Sequence, residues 1–263
     1  MGCSPTQKRE AKYPIESVIR EYESTSDFSE KFFLDAAFEI NSKIHLDGEF
    51  MTNEKFEKYF YRNFNNKLTE DFFINKHIKF NIQDNNQEED DISNPIIKNI
   101  KNKVSKSNNK ELFSTVKLKN LLFLLTKAKR IETAKNCFFY DKSSYMFSYI
   151  KDFDQDDNDY IKKDSLGLYS FLEDLVVFSV ELIPDIWIKH DVRSKEFKNN
   201  KLFELRNKID KIINDIIDKI FNEEYNVDNK KITIESINLM FESYNGFLSS
   251  GYIRESALDM LNM

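Results

Sequence analysis

FDQDDNDYIKKDSL, residues 153–166, is the stretch on which the reading of the chain turns. Oxygen-bearing side chains fall at Asp154, Asp156 and Asn158; Asp159 stands where the chain has to turn, and a lone aliphatic, Ile161, follows two residues later. Numbered from Asp154, the oxygens take positions 1, 3 and 5, the turn position 6, the Tyr160 carbonyl position 7 and Ile161 position 8; Lys162 is at 9 and Ser165 at 12. A short segment that wraps a hard divalent cation needs this order. The ion takes six to eight oxygens at about 2.3–2.6 Å, and only a curled loop supplies them from neighbouring residues. The middle of such a loop wants a residue that tolerates positive φ; glycine does this best, and Asp159 does it at modest cost. Numbering from Asp152 instead leaves Asp159 where the aliphatic belongs, and that register fails.

The departure is at position 12, where a bidentate glutamate is wanted and Ser165 stands. Two oxygens and a negative charge are lost, which lowers the expected Ca²⁺ affinity. The bland alternative is a solvated acidic turn, since six of the eight residues 152–159 are Asp or Asn. The flanks argue for more than a turn: Met146, Tyr149, Ile150 and Phe153 share a helical face before the loop, and Leu166, Tyr169 and Leu172 follow at helical spacing. The prediction is a helix–loop–helix of EF-hand type. Ile161 would pair through short β contacts with a partner loop.

Composition supports an all-α chain. Five Gly and four Pro in 263 residues are too few for the tight turns of an all-β fold, while 40% hydrophobic residues, with 24 Phe and 12 Tyr, provide a core. A net charge of −6 gives no support for nucleic-acid binding and suits a cation-binding protein. Two cysteines, Cys3 and Cys137, make no disulfide framework and point to a reducing compartment. No run of about 18 apolar residues is long enough for a membrane span. The three histidines, His45, His77 and His190, stand apart, and the chain has no P-loop, Gly-rich fingerprint or serine elbow, so a non-enzymatic protein is expected.

At the start of the chain, MGCSPT fits an N-myristoylation pattern, with Gly2 as acceptor and Thr6 at the hydroxyl position. Cys3 beside it is a natural palmitoylation site, and two lipids are what stable anchoring takes. Residues 1–25 are therefore expected to be an acylated tail, on the cytoplasmic face of a membrane. Residues 26–83 read as an N-terminal helical lobe. Phe28, Phe32, Ala36 and Ile40 precede KIHLDGEFMTNE, residues 43–54, and Phe56, Tyr59, Phe60 and Phe64 follow it. As a loop this segment keeps Gly48 at the turn, Phe50 at position 8 and Glu54 at 12. Lys43 and His45 stand where oxygens belong, so it is degenerate. Helical pattern resumes at Thr69 and runs through Phe72, Phe73, Ile78 and Phe80. Residues 84–111, an acidic block followed by a basic one, read as a charged linker or loop.

Residues 112–263 read as a C-terminal helical lobe. Residues 112–139 have the pattern of one or two helices, with Leu118, Leu121, Leu122 and Leu125 on a face. The helix leaving the organising loop is expected to stop at Pro184. Residues 201–224 carry a broad apolar stripe from Leu202 to Phe221, read as core, or more sharply as a face that partly docks a partner. The stripe runs into YNVDNKKITIES, residues 225–236, which keeps Asn229 at position 5 and Ile232 at 8. Tyr225 and Ser236 at its ends cannot hold Ca²⁺. SSGYIRES, near the C-terminus, looks like a weak half-loop.

MGCSPT and DQDDNDYIKKDS together resemble the acylated EF-hand sensors of the neuronal-calcium-sensor and calcineurin-B-like kind. The loop starts at Lys43 and Asp154 lie much farther apart than in paired hands, so the family architecture would be an expanded one. The resemblance implies EF-hand-like units in one or two helical lobes, and at most one Ca²⁺ site, with Mg²⁺ as the alternative ion. Its ligands would be Asp154, Asp156, Asn158, the Tyr160 carbonyl and Ser165. It implies a lipid-anchored signalling adaptor that docks a protein partner through an aromatic and apolar helical groove. The competing reading is an acylated helical scaffold whose loops keep the fold and bind no ion.

Overall fold

A computed structural model describes residues 19, 50–52, 79–81, 111–125, 142–190, 202–222, 230–244 and 246–261. Gly2 and Cys3, Cys137, the linker as far as residue 110 and most of the loop at 43–54 lie outside them. The described part is all-α in character. Its helices are α1 (Thr115–Leu125), α2 (Lys142–Asp154), α3 (Leu166–Val177), α4 (Ile183–His190), α5 (Leu202–Leu205), α6 (Ile209–Asn222), α7 (Ile234–Ser243) and α8 (Ser250–Leu261). Short strands punctuate them: β1 (Phe50–Thr52), β2 (Lys79–Asn81), β3 (Glu111–Ser114), β4 (Tyr160–Lys162) and β5 (Lys231–Thr233).

The apolar spacing of α2 and α3 becomes one packed crossing. Tyr145, Met146, Phe147 and Ile150 of α2 are buried, as are Gly167, Leu168, Phe171, Leu172, Leu175 and Val176 of α3. The crossing is close because Gly167 has no side chain. A Cβ there would lie 2.7 Å from the Ile150 carbonyl oxygen and 3.1 Å from both Ile150 Cα and Asp154 Oδ1. Gly167→Ala is expected to lower stability by about 1–2 kcal/mol: overpacking costs about 1–3, and alanine's better helix propensity returns up to about 1. A urea midpoint equal to the wild type's would mean that α2 slides away freely.

Aromatic edges bind this crossing to its neighbours. The Phe123 ring of α1 meets Phe171 at 5.1 Å and Phe241 of α7 at 6.2 Å, both edge-on. The stripe of α6 is core: Ile212, Ile213, Ile216, Ile217, Ile220 and Phe221 are all buried, which leaves none of these six for a partner. Helix α8 packs on α3, α5 and α6, and its Ile253, Ala257 and Leu258 are buried. Among the described residues no helix is long and apolar enough to cross a membrane.

Four local expectations are corrected. Pro184 does not stop the helix: α3 passes through a π-helical turn, Phe178–Leu182, into α4. The wider turn lets Ile183 N–H reach back to the Phe178 carbonyl and leaves Pro184 in the first turn of α4, where its missing N–H is not needed. Leu112 and Phe113 belong to a strand, not a helix, and so does Phe80. β3 pairs antiparallel with both β1 and β2, Met51 facing Phe113 and Phe80 facing Leu112. The boundary drawn at 111/112 thus falls inside β3, which leads directly into α1. SSGYIRES is the start of helix α8.

Candidate functional site: the 154–165 loop and its strand partner

The loop between α2 and α3 meets the segment between α6 and α7 through β4 and β5. These pair antiparallel with Tyr160 opposite Thr233, Ile161 opposite Ile232 and Lys162 opposite Lys231. The residues assigned to the eighth position of the two loops, Ile161 and Ile232, are therefore each other's partners, and both are buried. Alternation on so short a strand turns its central side chain into the core and the flanking ones out. Outside, the Lys231 ammonium lies 4.3 Å from the centre of the Tyr160 ring.

Four of the expected ligands, Asp154, Asp156, Asn158 and Ser165, have hydrogen-bond partners inside the protein. Asp154, the last residue of α2, accepts from the Ser165 hydroxyl on Oδ2 at 2.5 Å and from the Gly167 N–H on Oδ1 at 2.7 Å. Ser165 is the N-cap of α3: its Oγ also accepts from the Leu168 N–H at 2.9 Å. Asp156 Oδ1 accepts from the Asn158 backbone N–H at 3.0 Å and from the Asn158 side-chain amide. Asp156 Oδ2 accepts from the Lys162 ammonium at 3.2 Å. The two Asn158 bonds, then Lys162, hold the Asp156 carboxyl below its ordinary range, and Asp156 raises Lys162 in return. Tyr160 takes its place in β4.

The turn also differs from the expectation. Among the described non-glycine residues only Gln155, at φ 54°, and Leu248, at φ 53°, are left-handed; Asp159 is not. The chain turns at once on leaving α2, as it does past many helix ends, and Lys151 secures the turn. Its carbonyl accepts from Asp156 N–H at 3.2 Å and its ammonium reaches the Asp157 carbonyl at 3.1 Å.

A divalent cation fits this arrangement poorly. It would have to take Asp154 from two donors and Asp156 from Asn158 and a lysine. At position 12 it would then find a hydroxyl already bonded both ways. Among the described residues no group of three or more His, Cys, Asp or Glu is arranged to hold a metal.

One polar constellation had no trace in the sequence. The Tyr145 hydroxyl of α2 donates to Asn120 Oδ1 of α1 at 2.6 Å, and Asn120 Nδ2 donates to Asp174 Oδ2 of α3 at 2.8 Å. Burial raises the Asp174 carboxyl above its usual range, while Lys117, 3.8 Å away, pulls it back. A satisfied buried chain of this kind fixes the register of three helices. Its members are too far apart in sequence for any spacing rule to find. No protein-family model, curated protein or solved structure matches the chain.

Proposed function

We propose that the chain is a non-enzymatic adaptor built on a pair of EF-hand-like helix–loop–helix units, tethered to a membrane and docking a protein partner without needing a bound ion. The observation that carries the reading is the Ile161–Ile232 pairing, which joins two loops at the residue each contributes as its apolar anchor. Support for ion independence comes from the hydrogen bonds that engage Asp154, Asp156 and Ser165 within the loop. Large apolar side chains left exposed beside the loop, Phe153 at 51% and Leu166 at 73%, suit a docking protein. The tether rests on the MGCSPT sequence alone. Intact mass after co-expression with an N-myristoyltransferase tests it: Gly2→Ala abolishes the added lipid mass if Gly2 is the acceptor.

A Ca²⁺ sensor is the second reading, favoured by oxygen side chains at Asp154, Asp156 and Asn158 in one loop. Calorimetric titration of Ca²⁺, with and without Mg²⁺, into the unacylated protein and into Asp154→Ala separates the two. The adaptor reading expects no saturable heat up to millimolar Ca²⁺. A single site that disappears in Asp154→Ala would hand the function to the sensor.

A further inference from the structure

We propose that Ser165 does in this loop the work that a bound cation does in an ion-binding one: its hydroxyl ties the first position of the loop to the last and holds α2 against α3 permanently. The proposal rests on the EF-hand-like reading above and adds the device that replaces the ion.

In an ion-binding loop the cation is shared between a carboxylate at position 1 and a bidentate carboxylate at position 12. Occupancy therefore decides how the incoming and outgoing helices stand, and that is the switch in a sensor. Here positions 1 and 12 touch directly, Ser165 Oγ to Asp154 Oδ2 at 2.5 Å. The same hydroxyl accepts from Leu168 N–H, and the second Asp154 oxygen accepts from Gly167 N–H, so one side chain at the end of α2 gathers the first turn of α3. A carboxylate at that place also meets the positive end of the α3 dipole. Burial protects the contact, since Ser165 is only 8% exposed.

Position 3 has its own tethered cation. The Lys162 ammonium, on β4, sits on Asp156 where an ion-binding loop would present a water-bridged ligand. This pair is open to solvent, with Lys162 at 50% and Asp156 at 33% exposure, and such pairs contribute little. Ser165 therefore carries the lock and Lys162 supplements it. The absence of a side chain at Gly167 belongs to the same device, because only then can α3 approach the Ile150 carbonyl and place its N–H on Asp154.

The test is amide hydrogen exchange at Gly167 and Leu168, together with Tm, on the full chain in EDTA and in millimolar Ca²⁺. The variants are Ser165→Ala and Ser165→Thr. The wild type is expected to give the same Tm and the same slow exchange in both media. Ser165→Ala should speed exchange at both amides by about tenfold, the effect of losing one capping bond, irrespective of Ca²⁺. Ser165→Thr, which keeps the hydroxyl, should restore protection. Should Ser165→Ala fail to fold, the wild type in the two media and Ser165→Thr still decide. Unchanged exchange in Ser165→Ala, with no effect of Ca²⁺, would overturn the lock and leave the adaptor reading standing. A wild-type Tm that rises with Ca²⁺ would overturn the lock and the ion-free reading together.

Discussion

Ile161→Asp is expected to unfasten the two loops and to remove most of the stability of the helices around them. Ile161 and Ile232 face each other across a sheet of two strands, at 2% and 1% exposure, so a carboxylate in this place has no water. A buried charge without a partner costs about 3–5 kcal/mol, on top of the apolar contact that is lost. A domain's whole stability is about 5–15 kcal/mol, so the variant should be largely unfolded at neutral pH. Ile161→Val keeps the apolar contact and should cost about 0.5–1.5 kcal/mol. The introduced carboxyl has a raised pKa in the folded state, and the folded state therefore binds its proton more readily than the unfolded chain. Stability should accordingly recover as pH falls through that raised value and be lost as pH rises. Urea midpoints for both variants at two pH values check this. An Ile161→Asp midpoint near that of Ile161→Val would show that the strand pair holds nothing together.

Lys142→Met is expected to act in the opposite direction and stabilise the protein. Lys142 opens α2, is 6% exposed, and its ammonium lies 4.7 Å from the centre of the Phe123 ring. Burial lowers its pKa from 10.5 to about 7. Between about pH 7 and 10.5 the unfolded chain holds this proton more firmly than the folded one does. Wild-type stability should therefore rise with pH across that window and lie flat below it. The position at the positive end of α2 works in the same sense. A shift of this size corresponds to about 4–5 kcal/mol near neutral pH, of which the Phe123 face offsets about 1–2. Methionine follows the lysine stem without its charge, so a gain of up to about 2–3 kcal/mol at pH 7 is expected, together with loss of the slope above it. Wild-type urea midpoints that are equal at neutral and at alkaline pH would sink the argument.

The two variants probe different parts of the same crossing. Ile161 ties β4 to β5 at the loop end of α2, while Lys142 sits at the other end, under α1. Between them lie the Gly167 approach and the Asn120–Tyr145–Asp174 chain. The proposed adaptor would need such rigidity: with no ion to move the helices, the surface beside Phe153 and Leu166 would be presented all the time.

Much of this was legible in the residues. The apolar spacing on either side of residues 153–166 located α2 and α3, the stripe from Leu202 to Phe221 located α5 and α6, and the turn chemistry between them located the loops. The two aliphatics at the eighth loop positions, Ile161 and Ile232, proved to be partners. These features are local: helical periodicity and turn composition act within a few residues and leave their mark in the sequence. The strands at 79–81 and 111–114 left no such mark, because three or four residues are too few to show a period of two.

Only the tertiary structure shows which protein donors the loop's oxygens accept from. From the sequence Asp154, Asp156 and Asn158 are equally good ligands for an ion or acceptors for the protein. The packing of α3 on α2 brings Ser165 and Gly167 to Asp154, and the pairing of β4 with β5 holds the strand from which Lys162 reaches Asp156. The same holds for Asn120 and Asp174, which meet only because three helices are stacked, and for Pro184, tolerated because the π-helical turn before it has already widened the helix. A carboxylate's chemistry belongs to its residue, but its partner is whatever group the fold brings within about 3 Å.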